Sequence, residues 1–179
     1  MAIAARLKAF LSQQNIRYTT QQHPAAYTAQ EIAAALHISG KQLAKCVVCN
    51  TDKGVVLAVL PAAFLIDFGK LKALVRAKKL ELARESDIKK AFPDVEIGAM
   101  SVFGNLYNVP VFVDKTLAAT EQIACNAGSH TKTVMLRYKD FEKAAKPKIG
   151  AFSAPSGKAA KKKTPAAAKK KAAGKRKKR

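Results

Sequence analysis

The C-terminal segment sets the strongest limit on what this chain can fold into. Residues 151–179 hold 12 lysine and arginine side chains and no acidic residue, whereas residues 1–150 hold 21 basic and 12 acidic side chains. A segment rich in like charge and poor in large apolar side chains cannot bury enough surface to offset the entropy of folding. We therefore predict one folded domain over residues 1–147 and a disordered, basic Lys/Ala/Pro-rich tail over residues 148–179.

The rest of the sequence excludes several classes of protein. It contains no run of about 18 apolar residues, so we expect no transmembrane helix and no membrane partner. The start lacks the pattern of a secretory signal, and three cysteines, an odd number in a chain of this size, argue against a disulfide scaffold. We therefore expect a cytoplasmic protein. The apolar stripe over residues 3–11, with Arg6 and Lys8 beside it, also fits a transit peptide. Its few serines and arginines favour the first helix of the domain instead.

Local patterns predict alternating strands and helices. Thr28, followed three residues later by Glu31, predicts a capping box at a helix N-terminus. Apolar runs over 46–50 and 55–60 surround an Asp/Gly-containing turn and predict a hairpin. Periodicity predicts further helices over 3–11, 67–77, 85–92 and 139–145, and further strands over 16–19, 109–114, 122–126 and 133–137. The irregular order predicts a mixed α+β (α/β) fold, with a mixed, barrel-like sheet surrounded by helices.

The cysteines and histidines do not form a recognisable metal or redox motif. Cys46 and Cys49 lie on the first strand of the predicted hairpin, where residues three apart point to opposite faces. We interpret them as ordinary buried cysteines; a functional pair is the alternative. The three histidines fit no metal signature, and no phosphate-binding or dinucleotide fingerprint occurs. We therefore expect no metal and no cofactor.

A set of separated motifs carries the functional signal. Each is weak alone, because a lysine before a strand, a glycine-bounded loop and a histidine after a strand are usually structural. Together they stand in a particular order. The motifs are His23-Pro24, Tyr27 to Glu31, Leu43-Ala44-Lys45, Ala58 to Pro61, Gly98 to Gly104, Val111 to Asp114 and Asn126 to His130.

This order of motifs resembles the bacterial YbaK and prolyl-tRNA synthetase-associated deacylases over residues 1 to about 147. The resemblance implies a barrel-like editing fold and hydrolysis of the ester that joins a wrong amino acid to tRNA. It implies that backbone groups around Gly98 hold the carbonyl or the attacking water, and that Lys45 contacts the phosphate or ribose of the tRNA 3′ end. His130 would line the amino-acid pocket or orient water. The implied substrate-binding residues are Thr28, Ala99, Met100, Ser101, Gly128 and Ser129.

The chain departs from the family pattern at one place. Ser101 and Val102 stand where the family loop typically carries two prolines, so we expect the Gly98 backbone to be less preorganised. The implied partners are the aminoacylated 3′ end of tRNA and a synthetase, with DNA or other polyanions binding through residues 151–179. One alternative is a noncatalytic tRNA- or DNA-binding protein built on the editing fold. Another is a tail that anchors the protein to anionic lipid or polyphosphate.

Overall fold

The computed structural model of the protein describes residues 4–155, which form six α-helices, ten strands and one 3₁₀ helix. The helices are α1 (Ala5–Gln13), α2 (Ala29–Ala35), α3 (Phe68–Val75), α4 (Glu85–Ala91), α5 (Lys115–Ala118) and α6 (Tyr138–Ala145), and the 3₁₀ helix is Gly104–Tyr107. The strands are β1 (Tyr18–Gln22), β2 (Ala44–Thr51), β3 (Gly54–Pro61), β4 (Phe64–Ile66), β5 (Leu80–Leu82), β6 (Val111–Asp114), β7 (Gln122–Ser129), β8 (Lys132–Arg137), β9 (Lys148–Gly150) and β10 (Ser153–Pro155). None of these helices has the length and apolarity needed to cross a membrane.

A five-stranded mixed sheet in the order β5-β2-β3-β6-β9 forms the centre of the fold. Its β2 and β3 strands are antiparallel and form the predicted hairpin, which Gly54 closes with a left-handed φ of +111°. Strand β3 pairs in parallel with β6 on its other side. Leu57 and Val59 of β3 face one apolar core, and Ala58 and Leu60 face a second one, so this strand is covered on both sides.

A three-stranded antiparallel sheet, β1-β8-β7, contributes to the larger of these cores. A single parallel bridge between Leu43 and Ala124 joins it to the start of β2. The predicted mixed fold, with helices around the sheet strands, is confirmed. The strands within residues 4–155 are divided among three sheets and do not close into one barrel.

The predicted capping box is present at the start of α2. The Thr28 Oγ1 atom accepts a hydrogen bond from the Glu31 amide at 3.2 Å, and Glu31 Oε2 accepts one from the Thr28 amide at 3.0 Å. The two side chains therefore satisfy backbone donors that the first turn of a helix leaves open. This cap fixes the position of residues 27 and 28 next to the cleft formed by α2, β2 and the Gly98 loop.

The folded domain continues past residue 147, which the sequence predicts as its last residue. Strand β9 pairs in parallel with β6, and β10 pairs with β4. Between them, Phe152 is fully buried, and Asp114 accepts hydrogen bonds from the Phe152 and Ser153 amides at 2.7 Å each. Residues 148–155 thus belong to the domain and not to the predicted tail. The predicted disorder of residues 156–179 concerns a segment outside the described residues.

Candidate functional site

A cleft of about 220 Å³ lies between the start of α2, strand β2 and the loop around Gly98. Its lining includes two of the three residues predicted to be catalytic, Lys45 and Gly98. It also includes Tyr27, Cys46 and Asn126. The third predicted residue, His130, lies against Gly98 and Tyr27.

Lys45 supplies the positive charge of the cleft. It lies near the start of β2, is half-buried, and donates a hydrogen bond from Nζ to the carbonyl oxygen of Phe64. Burial lowers its pKa below the ordinary value of 10.5. An ammonium group has three donors, and among the described ion pairs none involves Lys45. Lys45 can therefore offer further hydrogen bonds to an anionic or oxygen-rich ligand.

Gly98 lies at the corner of a tight turn. The Ala99 amide donates to the Glu96 carbonyl at 2.9 Å, and Gly98 has a φ of +88°. This is the pattern of a type II β-turn, which requires a left-handed residue at its third position and therefore favours glycine. Gly98 is exposed, so its backbone is accessible from the cleft.

His130 fixes this turn through backbone carbonyl groups. Its Nε2 atom lies 3.0 Å from the Ile97 carbonyl oxygen, and its Nδ1 atom lies 3.3 Å from the Ala26 carbonyl oxygen. The His130 amide donates to Glu96 Oε2 at 2.8 Å. The ring thus connects the Gly98 turn to the segment that precedes α2. This geometry favours a positioning role, and contact of His130 with a substrate stays a prediction.

Asn126 lines the cleft but is not among the site residues predicted from the sequence. It lies on β7 at an irregularity in strand register between Asn126 and Ser129. Its Nδ2 atom donates to the Gly98 carbonyl at 3.2 Å, whereas its Oδ1 atom is buried without a partner among the described residues. Asn126 begins one of the sequence motifs, but its contact with Gly98 spans 28 residues and leaves no local signal.

The Gly98 loop is held by hydrogen bonds and packing in the absence of prolines. Ala99, Met100, Ser101 and Val102 are all buried, and Ser101 Oγ accepts a hydrogen bond from the Phe103 amide at 3.4 Å. The Gly128 amide donates to the Ala99 carbonyl at 3.1 Å. These contacts, together with those of His130 and Asn126, constrain the loop on both sides of Gly98.

The residues predicted to bind substrate have structural contacts in this arrangement. Thr28 caps α2, and Ser129 Oγ lies 3.4 Å from Thr131 Oγ1. Gly128 has a φ of +96°, and a Cβ atom there would come within 2.7 Å of the Ala4 Cβ atom. Six residues predicted to bind substrate are not among those that line the cleft: Thr28, Ala99, Met100, Ser101, Gly128 and Ser129. Their role in substrate binding stays a prediction.

The cysteines are not activated nucleophiles. Cys46 packs against the larger core and Cys49 against the second one, which confirms that they point to opposite faces of β2. Burial, and secondly the nearby Cys125, raises the pKa of Cys46, and burial raises that of Cys49 to about 11. Both thiols are therefore protonated at neutral pH. Within residues 4–155, His, Cys, Asp and Glu side chains form no cluster of three that could hold a metal ion.

Comparison with known proteins identifies the family to which the chain belongs. A model of the aminoacyl-tRNA editing domain family matches residues 23–144. A relative from Acetoanaerobium sticklandii, the prolyl-tRNA editing protein ProX, is 29% identical over 150 residues, which cover 80% of this chain and 91% of the relative.

Solved structures share the fold. The crystal structure of a candidate trans-editing enzyme for prolyl tRNA synthetase superposes with a TM-score of 0.75 at 20% identity, covering 86% of this chain and 98% of the other. The hypothetical protein APE2540 superposes with a TM-score of 0.76 at 16% identity, covering 83% and 99%. At this level of identity the similarity establishes the fold alone.

Proposed function

Because the chain belongs to the aminoacyl-tRNA editing domain family, we propose that it is a trans-acting deacylase that hydrolyses the ester between a wrong amino acid and tRNA. One observation carries the proposal: a single cleft combines the ammonium group of Lys45 with the exposed backbone of the Gly98 turn. The substrate would come from an aminoacyl-tRNA synthetase, in the cytoplasm where tRNA is charged.

Ester hydrolysis requires stabilisation of the negative charge that develops on the carbonyl oxygen when water attacks. The Ile97 carbonyl faces His130, and in a trans peptide the following N–H points to the opposite side. The Gly98 amide makes no hydrogen bond among those of the described residues. We assign this amide as the donor that holds the ester carbonyl or the attacking water.

The remaining steps concern protons and charge. Water adds to the ester carbon, the bond to the ribose oxygen breaks, and the proton from water returns to that oxygen, which leaves a free amino acid and a ribose hydroxyl. Burial keeps the thiol of Cys46, the cysteine in the cleft lining, protonated, so Cys46 does not act as the base. A neighbouring ribose hydroxyl can assist the proton transfer instead. Lys45 would bind the terminal phosphate or ribose as a point charge.

The position of the last described strand supports a role for the basic segment in tRNA binding. Pro155 pairs in register with Phe64, and the Phe64 carbonyl accepts the hydrogen bond from Lys45. The 12 basic side chains of residues 151–179 all follow Pro155 in the sequence. We propose that these charges bind tRNA phosphates near the cleft.

A deacylation panel tests the proposed function. The purified full chain is incubated with tRNA charged with Ala, Ser, Cys, Thr or Pro, and loss of the ester is followed over time. The ProX relative is named for prolyl-tRNA editing, so proline-accepting tRNA is the first carrier to test. Lys45→Ala should abolish release of the preferred amino acid without unfolding the protein.

Lys53→Ala is a matched control for Lys45→Ala. Lys53 also lies in the β2–β3 hairpin region and donates to a backbone carbonyl, that of Arg76, at 2.6 Å, but it lies outside the cleft. Release that is selective, lost in Lys45→Ala and retained in Lys53→Ala supports the proposal. If Lys45→Ala releases the amino acid as fast as Lys53→Ala and the wild type, Lys45 is not a site residue. No release from any charged tRNA, with salt-sensitive tRNA binding retained, would favour a noncatalytic binding protein.

A further inference from the structure

Tyr27 exposes an aromatic ring at the cleft. With 73% of its surface exposed, it is the most exposed large hydrophobic residue among residues 4–155. A residue directly before a helix N-cap often packs against the fourth helical residue, which is Ile32 here. Tyr27 is not part of the apolar cluster that buries Ile32. Its ring is therefore available to a ligand.

The ring is nevertheless held in place. Its centroid lies 4.7 Å from that of the His130 ring, at an interplanar angle of 45°. The Tyr27 amide donates to Glu31 Oε2 at 3.0 Å, and His130 is fixed by the Ala26 and Ile97 carbonyls. One side of the Tyr27 ring thus lies against His130, while the large exposed fraction leaves the rest of the ring to solvent.

This combination of groups suits the end of a single nucleic-acid strand. Bases of unpaired nucleotides stack on aromatic side chains, and lysines nearby bind the backbone. Tyr27 and Lys45 line the same cleft as Gly98, whose turn is the proposed site of ester attack. A base on Tyr27 would leave its ribose, and the ester on it, inside the cleft.

We propose that Tyr27 stacks on the 3′-terminal adenine of tRNA and so positions the ribose ester at the Gly98 turn. This inference rests on the proposed function, because it takes tRNA as the ligand. It assigns Tyr27 to the base and not to the amino acid, and it predicts that the base contributes to affinity even when no amino acid is attached.

Fluorescence of uncharged tRNA whose terminal adenine is replaced by 2-aminopurine tests this inference. Stacking on Tyr27 should quench the fluorescence in the wild-type protein and in Tyr27→Phe, which keeps the aromatic face. Tyr27→Ala should lose the quenching and raise the half-saturating protein concentration by about 5- to 150-fold, the usual effect of one stacked base. Phe68→Ala, which removes a partly exposed aromatic residue outside the cleft, should match the wild type.

A second tRNA with an abasic 3′-terminal nucleotide identifies the group that Tyr27 contacts. If Tyr27 stacks on the base, Tyr27→Ala should cost almost no affinity on the abasic tRNA. Unchanged quenching in Tyr27→Ala, or the same loss of affinity on both tRNAs, would overturn the inference. Because the tRNA is uncharged, this result does not depend on hydrolysis, and a wild-type protein that fails the deacylation panel is a separate outcome.

Discussion

The Nε2 atom of His130 lies 3.0 Å from the carbonyl oxygen of Ile97, directly before the glycine whose backbone faces the cleft. The other ring nitrogen, Nδ1, faces the Ala26 carbonyl at 3.3 Å. Both carbonyl oxygens only accept, so each contact is a hydrogen bond only where that ring nitrogen carries a proton. The two contacts can be separated by substitution, because glutamine and asparagine place an amide donor near the positions of Nε2 and Nδ1 respectively.

His130→Ala should lower kcat by about 100-fold, since a displacement of about 1 Å in a catalytic group has an effect of that size. His130→Gln, which keeps a donor to Ile97, should recover more of kcat than His130→Asn, which keeps a donor to Ala26. Steady-state deacylation by the three variants checks this order. Equal losses in the glutamine and asparagine variants would show that His130 does not act through the Ile97 carbonyl.

Gly98→Ala should reduce deacylation strongly while destabilising the fold only modestly. Alanine at a left-handed φ costs about 1–2 kcal/mol, and relief of this strain would move the Gly98 amide. Gly54→Ala is the control, because Gly54 has a similar φ of +111° and open space within 4 Å of where a Cβ atom would lie, but belongs to the hairpin turn. Urea unfolding should give similar losses of stability for both variants, with activity lost only in Gly98→Ala. Loss of activity in both would contradict a specific role of the Gly98 turn.

Asp114 should make stability depend on pH in the acid range. Burial alone would raise its pKa, but hydrogen bonds from Thr116, Phe152 and Ser153 outweigh burial and hold the pKa below the ordinary value of 3.8. A carboxyl group whose pKa is lower in the folded state stabilises the fold fully above the unfolded-state pKa. This contribution is lost as pH falls through the folded-state pKa.

Asp114→Asn should therefore be less stable than the wild type at neutral pH, by about 1.5–3 kcal/mol for hydrogen bonds to a charged group. The difference should shrink as the pH falls below 3.8. Urea unfolding of both proteins over this pH range measures it. A difference that stays constant with pH would show that the charge of Asp114 is not what holds residues 152 and 153.

Deleting residues 156–179 should weaken tRNA binding and flatten its salt dependence, with kcat for bound substrate unchanged. Each lost phosphate contact should reduce the slope of log affinity against log salt by about 0.7–0.9. The deletion must begin after Pro155, because removing residues from 151 onward would also take Phe152 from the core. A tail of equal length with glutamine in place of lysine and arginine controls for chain length. An unchanged slope would assign the basic segment to another partner.

The parts of the fold that could be predicted from sequence are those that depend on local patterns. The β2–β3 hairpin follows from two apolar runs around a turn, and the α2 start follows from Thr28 and Glu31. Strands β4, β5, β9 and β10 were not predicted, because each has three residues and shows no periodicity. Strand β9 is also held by parallel pairing with β6, which the neighbouring proline and glycine give no reason to expect.

The site shows the same difference between residues in local motifs and residues that act through contacts distant in sequence. Lys45 and Gly98 were identified because each belongs to a short motif, and the structure brings both into one cleft. Glu96 belongs to none of these motifs, and Asn126 begins one of them but had no predicted role. Both act through hydrogen bonds to residues 34 and 28 positions away, which leave no local signal. Tyr27 belongs to a motif that indicates only a helix start, and nothing in its neighbours indicates that its ring stays exposed.

Pro155 pairs with Phe64, whose carbonyl oxygen accepts the hydrogen bond from Lys45, so Pro155 lies near the cleft. If the basic residues after Pro155 bind tRNA as proposed, entry of the acylated end into the cleft becomes an intramolecular step. Two binding sites in one chain give the second binding step an effective concentration that can reach about the millimolar range. Under that proposal, the cleft needs little affinity of its own for the acylated end, and the hydrolysed end can leave quickly.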